Sequence, residues 1–184
     1  MAGDELLENI LRAPVYAVAV ETPLDLAELL SKDLDNRIWI KREDLQPVFS
    51  FKLRGAYNKI SQLSESECKA GVVAASAGNH AQGVALAARQ ANIPATIVMP
   101  EWASISKQEA TRAYGGGVII AGQTLGESIK KAEEMVQEGK TFIHPFDDPD
   151  IIAGQGTVAL EIFDDLKETD MILAPIGGGG FISG

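Results

Sequence analysis

Along the chain, short β-rich apolar runs alternate with stretches whose apolar residues recur at helical spacing. The runs are GVVAA from Gly71, ATIVM from Ala95, GVIIA from Gly117 and KTFIH from Lys140, and they follow one another at roughly 23 residues. Between them, Ala81, Val84, Ala85 and Ala88 draw one apolar stripe, and Leu125, Ile129, Ala132 and Val136 draw another. Ser64 with Glu67, and Thr124 with Glu127, have the spacing of capping boxes, which predicts helix starts at both places. Connections this short favour parallel strands with right-handed crossovers, so Ala56 to Pro149 predicts a doubly wound α/β unit. The spacing is that of a βα unit and not of a sequence repeat.

The flanks follow a different order. A helix is predicted over Asp4–Ala13, a second around Pro23–Leu34 and a strand over Arg37–Arg42. Thr22, Pro23 and Asp25 supply the opening of the second helix, because proline at the first helical position loses no needed N–H. After His144 the proline-rich turn PFDDP leads into a helix over Asp150–Leu166 and then the strand MILAPI, which ends in Gly177, Gly178, Gly179 and Gly180. One strand from each flank would belong to a second sheet into which the central unit is inserted. Such a sheet would be incomplete, with unpaired edges and an uncovered apolar face, which points to a truncated chain.

Composition narrows the function. A hydrophobic content of 46% over 184 residues supports a substantial core. The balance of 16 basic against 26 acidic residues, a net charge of -10, argues against a phosphate-backbone or basic membrane-surface partner, so neither nucleic acid nor membrane is expected. The acidic start MAGDELLENI has no basic segment followed by an apolar one, and no apolar run approaches the ~20 residues of a spanning helix, so a cytoplasmic protein is expected. One cysteine, Cys68, and two histidines, His80 and His144, leave neither an internal disulfide nor a cysteine- or histidine-rich metal site. No metal is expected.

Three segments carry candidate chemistry. Gly177–Gly180 follows a buried-looking strand and precedes a helix, so its N–H groups are free to converge on an anion; the alternative is a tight flexible turn. It lacks the GK[ST] of a nucleotide loop and fits GxGxxG poorly. SAGNHAQG, from Ser76 to Gly83, lies at the carboxyl end of a strand, where open α/β sheets bind ligands. Ser76, Asn79 and His80 offer a hydroxyl, an amide and an imidazole there; alternatively Asn79 tolerates a strained turn and His80 caps the loop. In VFSFKLRGAY, Lys52 stands between Phe51 and Leu53, and apolar surroundings lower an ammonium pKa and make the amine nucleophilic, although most lysines are solvated surface charges. Arg54 is expected to face a carboxylate or solvent in preference to substrate.

Together these are the parts that pyridoxal phosphate chemistry requires. KREDLQPVFSFKLRGAYNKI, SAGNHAQGVA, PFDDPDIIAGQGT and PIGGGGFISG occur in an order and spacing that resemble the threonine dehydratase family, over nearly the whole chain. The resemblance implies an α/β fold of fold type II, tryptophan synthase beta-like, with doubly wound parallel sheets. It places a small domain at 56–149 inside an incomplete large domain at 1–55 and 150–184. Lys52 would form the Schiff base with pyridoxal 5'-phosphate, Phe51 would pack beside the cofactor ring, Asn79 would bond its phenolic oxygen and Gly177–Gly180 its phosphate. Ser76, Ala77, Gly78, Asn79 and His80 would grip the substrate carboxylate, with Ser76 also a candidate catalytic group.

The implied activity is that of a lyase converting L-threonine to 2-oxobutanoate and ammonia, the first step of isoleucine biosynthesis, by a homo-oligomer in the complete enzyme. In the mechanism the resemblance implies, substrate would displace Lys52, the freed amine would remove the α-proton, the β-hydroxyl would be protonated and leave as water, and the enamine would hydrolyse. Serine dehydratases and serine racemases share this framework, so L-serine is the alternative substrate. A non-catalytic fragment is a second possibility of another class. A nucleotide-binding regulatory module is a third, and it leaves Lys52 unexplained.

Overall fold

The computed structural model describes residues 3–184. In chain order its elements are α1 (Gly3–Arg12), β1 (Leu24–Leu26), α2 (Glu28–Asp33), β2 (Trp39–Lys41), α3 (Lys52–Ser61), α4 (Glu65–Ala70), β3 (Val72–Ala75), α5 (Asn79–Gln90), β4 (Ala95–Met99), α6 (Ile105–Ala113), β5 (Gly117–Ile120), α7 (Leu125–Gln137), β6 (Thr141–Phe142), α8 (Pro149–Asp165) and α9 (Gly180–Ser183). The four strands expected in the central unit form one parallel sheet in the order β5-β4-β3-β6. Winding runs outward from β3 to β5 and then returns to the other side of β3, so β3 and β6 flank a topological switch point.

The strand period of two divides the core. Val72 and Ala74 face α3 and α5, joining Leu53, Ile60, Ala81 and Val84, while Val73 and Ala75 face α7 and meet Ala132. The predicted stripe of Ala81, Val84, Ala85 and Ala88 is wholly buried. In α7 the stripe holds for Ile129, Ala132 and Val136, whereas Leu125 is exposed. Ser64 forms the full capping box with Glu67. Thr124 accepts from the Glu127 N–H, but the Glu127 carboxylate takes the N–H of Gln123, one residue earlier than in a capping box.

Helix α3 lies between α5 and α8 and joins the sheet unit to the flanks. It crosses α8 at two glycines: a Cβ on Gly154 would stand 2.6 Å from the Gly55 Cα, so the two backbones meet where neither can carry a side chain. Asp148 caps α8 by accepting from the N–H groups of Asp150 and Ile151, and Lys59 of α3 pairs with both Asp148 and Asp150.

The flanks depart from expectation at two places. The helix predicted over Pro23–Leu34 begins only at Glu28, because Leu24–Leu26 instead pairs antiparallel with Trp39–Lys41. Asp25, expected in the opening turn of that helix, pairs with Arg42 across the two strands. The strand predicted over MILAPI is not formed. Among the described residues no strand lies beside Met171–Ile176, and without a ladder its apolar side chains remain largely exposed, Leu173 at 89%. The two-stranded second sheet is therefore drawn entirely from the segment before α3.

A buried charge network fastens these flanks to α3. The Arg54 guanidinium, fully buried, donates to both oxygens of Glu43 at 2.8 and 2.9 Å and to Glu161 of α8. Lys41 of β2 pairs with Glu161 at 2.7 Å, and the Tyr16 hydroxyl donates to the same carboxylate at 2.8 Å. Two cations face two anions, so nothing in the cluster is left uncompensated. Burial alone would raise the Glu161 pKa, but the hydrogen bonds from Arg54 and Lys41 outweigh it and hold the carboxyl below its usual range. Arg54→Met leaves Glu43 without its cation and Glu161 with Lys41 alone, and we expect it to cost about 3–5 kcal/mol in urea unfolding. A loss below ~1 kcal/mol would mean that solvent replaces the guanidinium and that the network is dispensable.

Candidate active site

Two loops leave the carboxyl ends of β3 and β6 at the switch point, where open α/β sheets place their ligand crevice. The first is Ser76–Gly78, leading into α5; the second is Ile143–Asp148, leading into α8. His80 joins them: its imidazole is buried and its Nε2 lies 2.9 Å from the Ile143 carbonyl oxygen. The imidazole therefore ties the two loops together. In the second loop the His144 Nδ1 accepts from the N–H groups of Phe146 and Asp147, which fixes the turn.

Lys52 opens α3 and aims its amine at this second loop. Its Nζ donates to the Pro145 carbonyl oxygen at 2.6 Å and stands 5.3 Å from the centroid of the Phe51 ring. Burial lowers its pKa from the ordinary lysine value. A carbonyl acceptor and a ring face do not replace a carboxylate, so desolvation decides the direction, as the apolar neighbours of Lys52 in the sequence suggest.

The glycine run reaches the same loop from the other side. A Cβ on Gly178 would overlap the Phe146 ring, and one on Gly180 would collide with the Phe146 backbone, so these two glycines are required by packing. Gly177 and Gly179 meet nothing within 4 Å, and Gly179 has φ 90°, a conformation that suits glycine. Phe181, just beyond the run, stacks on Phe51 with centroids 4.1 Å apart. Phe51 and Phe181 line a cavity of about 580 Å³ together with Trp39, Ile162 and Leu173.

In the β3 loop, the Ser76 Oγ accepts from the Gly78 N–H at 3.2 Å. Gly78 caps α5 without a side chain, so the first-turn N–H groups of Asn79, His80 and Ala81 receive no side-chain cap. Ala77 and Gly78 are half-buried, and Asn79 is exposed with its carboxamide oxygen accepting from Lys107 of α6 at 3.2 Å. The structure thus gathers Lys52, Phe51 and the glycine run around Pro145 and Phe146, and holds the Ser76–His80 loop beside them through the bond between His80 and Ile143. Pro145, Phe146, Phe181 and Lys107 are site neighbours that sequence reasoning missed. PFDDP entered as a turn and as part of a family motif, with no role in the site given to Pro145 or Phe146, and Lys107 carried no signal.

These features fit a phosphorylated carbonyl cofactor. A half-buried amine of lowered basicity stands beside a glycine turn whose Gly177 and Gly179 leave open space, and uncapped N–H groups lie across the crevice. Fold and site together define an α/β enzyme scaffold of fold type II. The chain belongs to the family of pyridoxal-phosphate dependent enzymes, whose model matches residues 17–184. It is 52% identical over 168 residues to the L-threonine ammonia-lyase of Thermotoga maritima, with 91% of this chain and 42% of that protein covered. The solved processed form of threonine deaminase isoform 2 from Solanum lycopersicum is similar with a TM-score of 0.95 and 52% identity, over 99% of this chain and 54% of that one. Maize serine racemase follows at a TM-score of 0.93 and 36% identity, over 96% and 54%. The chain spans between 30% and 42% of the length of the curated relatives it matches.

His80 gives this site a measurable pH response. Burial first, then the charges of Lys52 and His144, push its pKa down to about 4 against a bond to Ile143 that acts the other way. Unfolded His80 takes up its proton near pH 6.5, so the unfolded state binds more protons as pH falls from there towards 4, and stability drops over that window. We expect His80 to account for about 2 kcal/mol of lost stability between pH 7.5 and pH 5, and His80→Gln to flatten that part of the profile. Parallel profiles for the two proteins would place the imidazole in solvent.

Proposed function

We propose that this chain carries the cofactor lysine and the substrate loop of a threonine ammonia-lyase, which converts L-threonine to 2-oxobutanoate and ammonia as the first step of isoleucine biosynthesis. The observation that carries this reading is the desolvated amine of Lys52 at the switch-point crevice, 2.6 Å from the Pro145 carbonyl. The 52% identity to relatives named for threonine chemistry supports the substrate.

In this reading Lys52 would be the amine that holds the cofactor through its carbonyl carbon and the base that takes the α-proton of the substrate. Lowered basicity suits both roles, because a neutral amine is needed each time. When bound, pyridoxal phosphate supplies the electron sink for charge left at the α-carbon. Gly177, Gly178, Gly179 and Gly180 would hold its phosphate, and Asn79 would supply an amide donor for its phenolic oxygen. The Ser76–His80 loop would hold the substrate carboxylate, through N–H groups other than those of Ser76 and Gly78, which donate to the Val98 carbonyl and the Ser76 hydroxyl, and the Ser76 hydroxyl lies in the same loop for proton transfer. Phe51, stacked on Phe181, walls the ring side. Residues 56–149 act as the small domain and residues 1–55 with 150–184 as parts of the large one, with α3 as their shared element. The acidic, single-cysteine chain suits a reducing cytoplasmic compartment, and we expect the complete enzyme to be a homo-oligomer.

A second reading, action on L-serine, has the maize serine racemase likeness in its favour, at a lower identity of 36%. Assay of 2-oxobutanoate from L-threonine against pyruvate or D-serine from L-serine separates the two.

Borohydride reduction of the chain with pyridoxal phosphate, followed by peptide mapping, tests the lysine without requiring turnover. We expect the phosphopyridoxyl group on the peptide containing Lys52 and none at that site in Lys52→Ala. A dominant adduct on any other lysine would overturn the assignment.

A further inference from the structure

Lys107 has no part in the functional reading so far, yet its ammonium is a neighbour of the crevice. It sits in the first turn of α6, where the Ser104 hydroxyl accepts its N–H at the N-cap. Its side chain crosses to α5 and donates from Nζ to the Asn79 Oδ1 at 3.2 Å, a contact between residues 28 apart in sequence. Among the described residues Lys107 has no ion-pair partner, and the nearby Glu109 is taken by Arg112.

A carboxamide can be turned either way, and an ammonium has three donors and no acceptor. Contact with Lys107 therefore selects the orientation in which the Asn79 oxygen faces the ammonium and Nδ2 faces away, with its two N–H donors unspent on any described protein group. The opposite orientation would set the amide N–H groups against a cation. A phenolic oxygen carrying negative charge needs a donor, so the selected orientation is the one that serves it and the rejected one would present a second oxygen.

We infer that Lys107 is a positioning residue that locks the Asn79 carboxamide with its NH2 directed at the phenolic oxygen of pyridoxal phosphate. This rests on the assignment of Asn79 made above. Polarisation of the amide by the ammonium also strengthens the N–H donor, as in other short hydrogen-bond chains.

The test is a double-mutant cycle on the 184-residue chain titrated with pyridoxal phosphate, reading the dissociation constant and the absorbance maximum of the lysine-bound cofactor. Lys107→Met should weaken binding roughly three- to tenfold, the worth of one hydrogen bond, and displace the maximum. Lys107→Arg, which keeps a donor-only cation, should restore both. In an Asn79→Ala background, Lys107→Met should have no further effect, and the thermal midpoint of the cofactor-free protein should stay the same in Lys107→Met. If Asn79→Ala weakens binding while Lys107→Met matches the wild type, or if the two losses simply add, Lys107 does not act through Asn79 and the inference fails. If Asn79→Ala itself changes neither affinity nor spectrum, or the wild-type chain binds no pyridoxal phosphate at millimolar concentration, the reading beneath it fails instead.

Discussion

The position of α3 decides what the rest of this protein can do, and the buried Arg54 sets that position. Its guanidinium binds Glu43 from the segment after β2 and Glu161 from α8, while Lys41 and Tyr16 complete the Glu161 carboxylate. Removing a cation or anion from water costs several kcal/mol, so such a cluster persists only where every charge is answered. Here four charges balance within one contact set, and three chain segments must come together for them to do so. Fixed in this way against α8, and pressed to it at Gly55 and Gly154, α3 has little freedom to slide. Lys52 is its first residue, two positions before Arg54.

From that fixed start the amine meets the loop after β6, and the chemistry follows from sheet topology. Parallel strands wound in two directions from β3 leave a crevice between the β3 and β6 loops. Two hydrogen bonds define its walls, one from Lys52 to the Pro145 carbonyl and one between His80 and the Ile143 carbonyl. In both, burial lowers the pKa of a basic group and favours its neutral form. For His80 the consequence is structural. For Lys52 it is the nucleophilicity on which the proposed reaction depends.

Much of the architecture was legible in the sequence because it is local. The four strands, the buried stripe of α5 and the capping box at Ser64 are written in spacing and short-range hydrogen bonding. Lys52 was legible through its apolar neighbours, and the glycine run through its place after an apolar segment. What failed depended on distant partners. Thr22, Pro23 and Asp25 have the chemistry of a helix start, but a ladder to Trp39–Lys41 captures Leu24–Leu26. MILAPI has the composition of a buried strand, yet a strand needs a neighbour and none lies beside it among the described residues. The sequence left the His80 imidazole open between ligand and cap, and in the fold it is buried against the Ile143 carbonyl. Helix α3 was obscured by Gly55, a weak helix former whose presence makes sense only beside Gly154. Helix α6 had a usable signal in Ser104, whereas the reach of Lys107 to Asn79 had none.

The link from the charge network to the amine is best tested at Lys52 itself, by following the reactivity of each lysine towards an acylating reagent as a function of pH in the cofactor-free chain. Lys52 should titrate below the solvent-exposed lysines, and Arg54→Met, once shown to be folded, should move it back towards them as α3 loosens and water reaches the amine. A Lys52 that titrates with the solvated lysines in the unaltered chain would contradict the placement of its amine in a desolvated crevice, and with it the physical basis of the proposed chemistry.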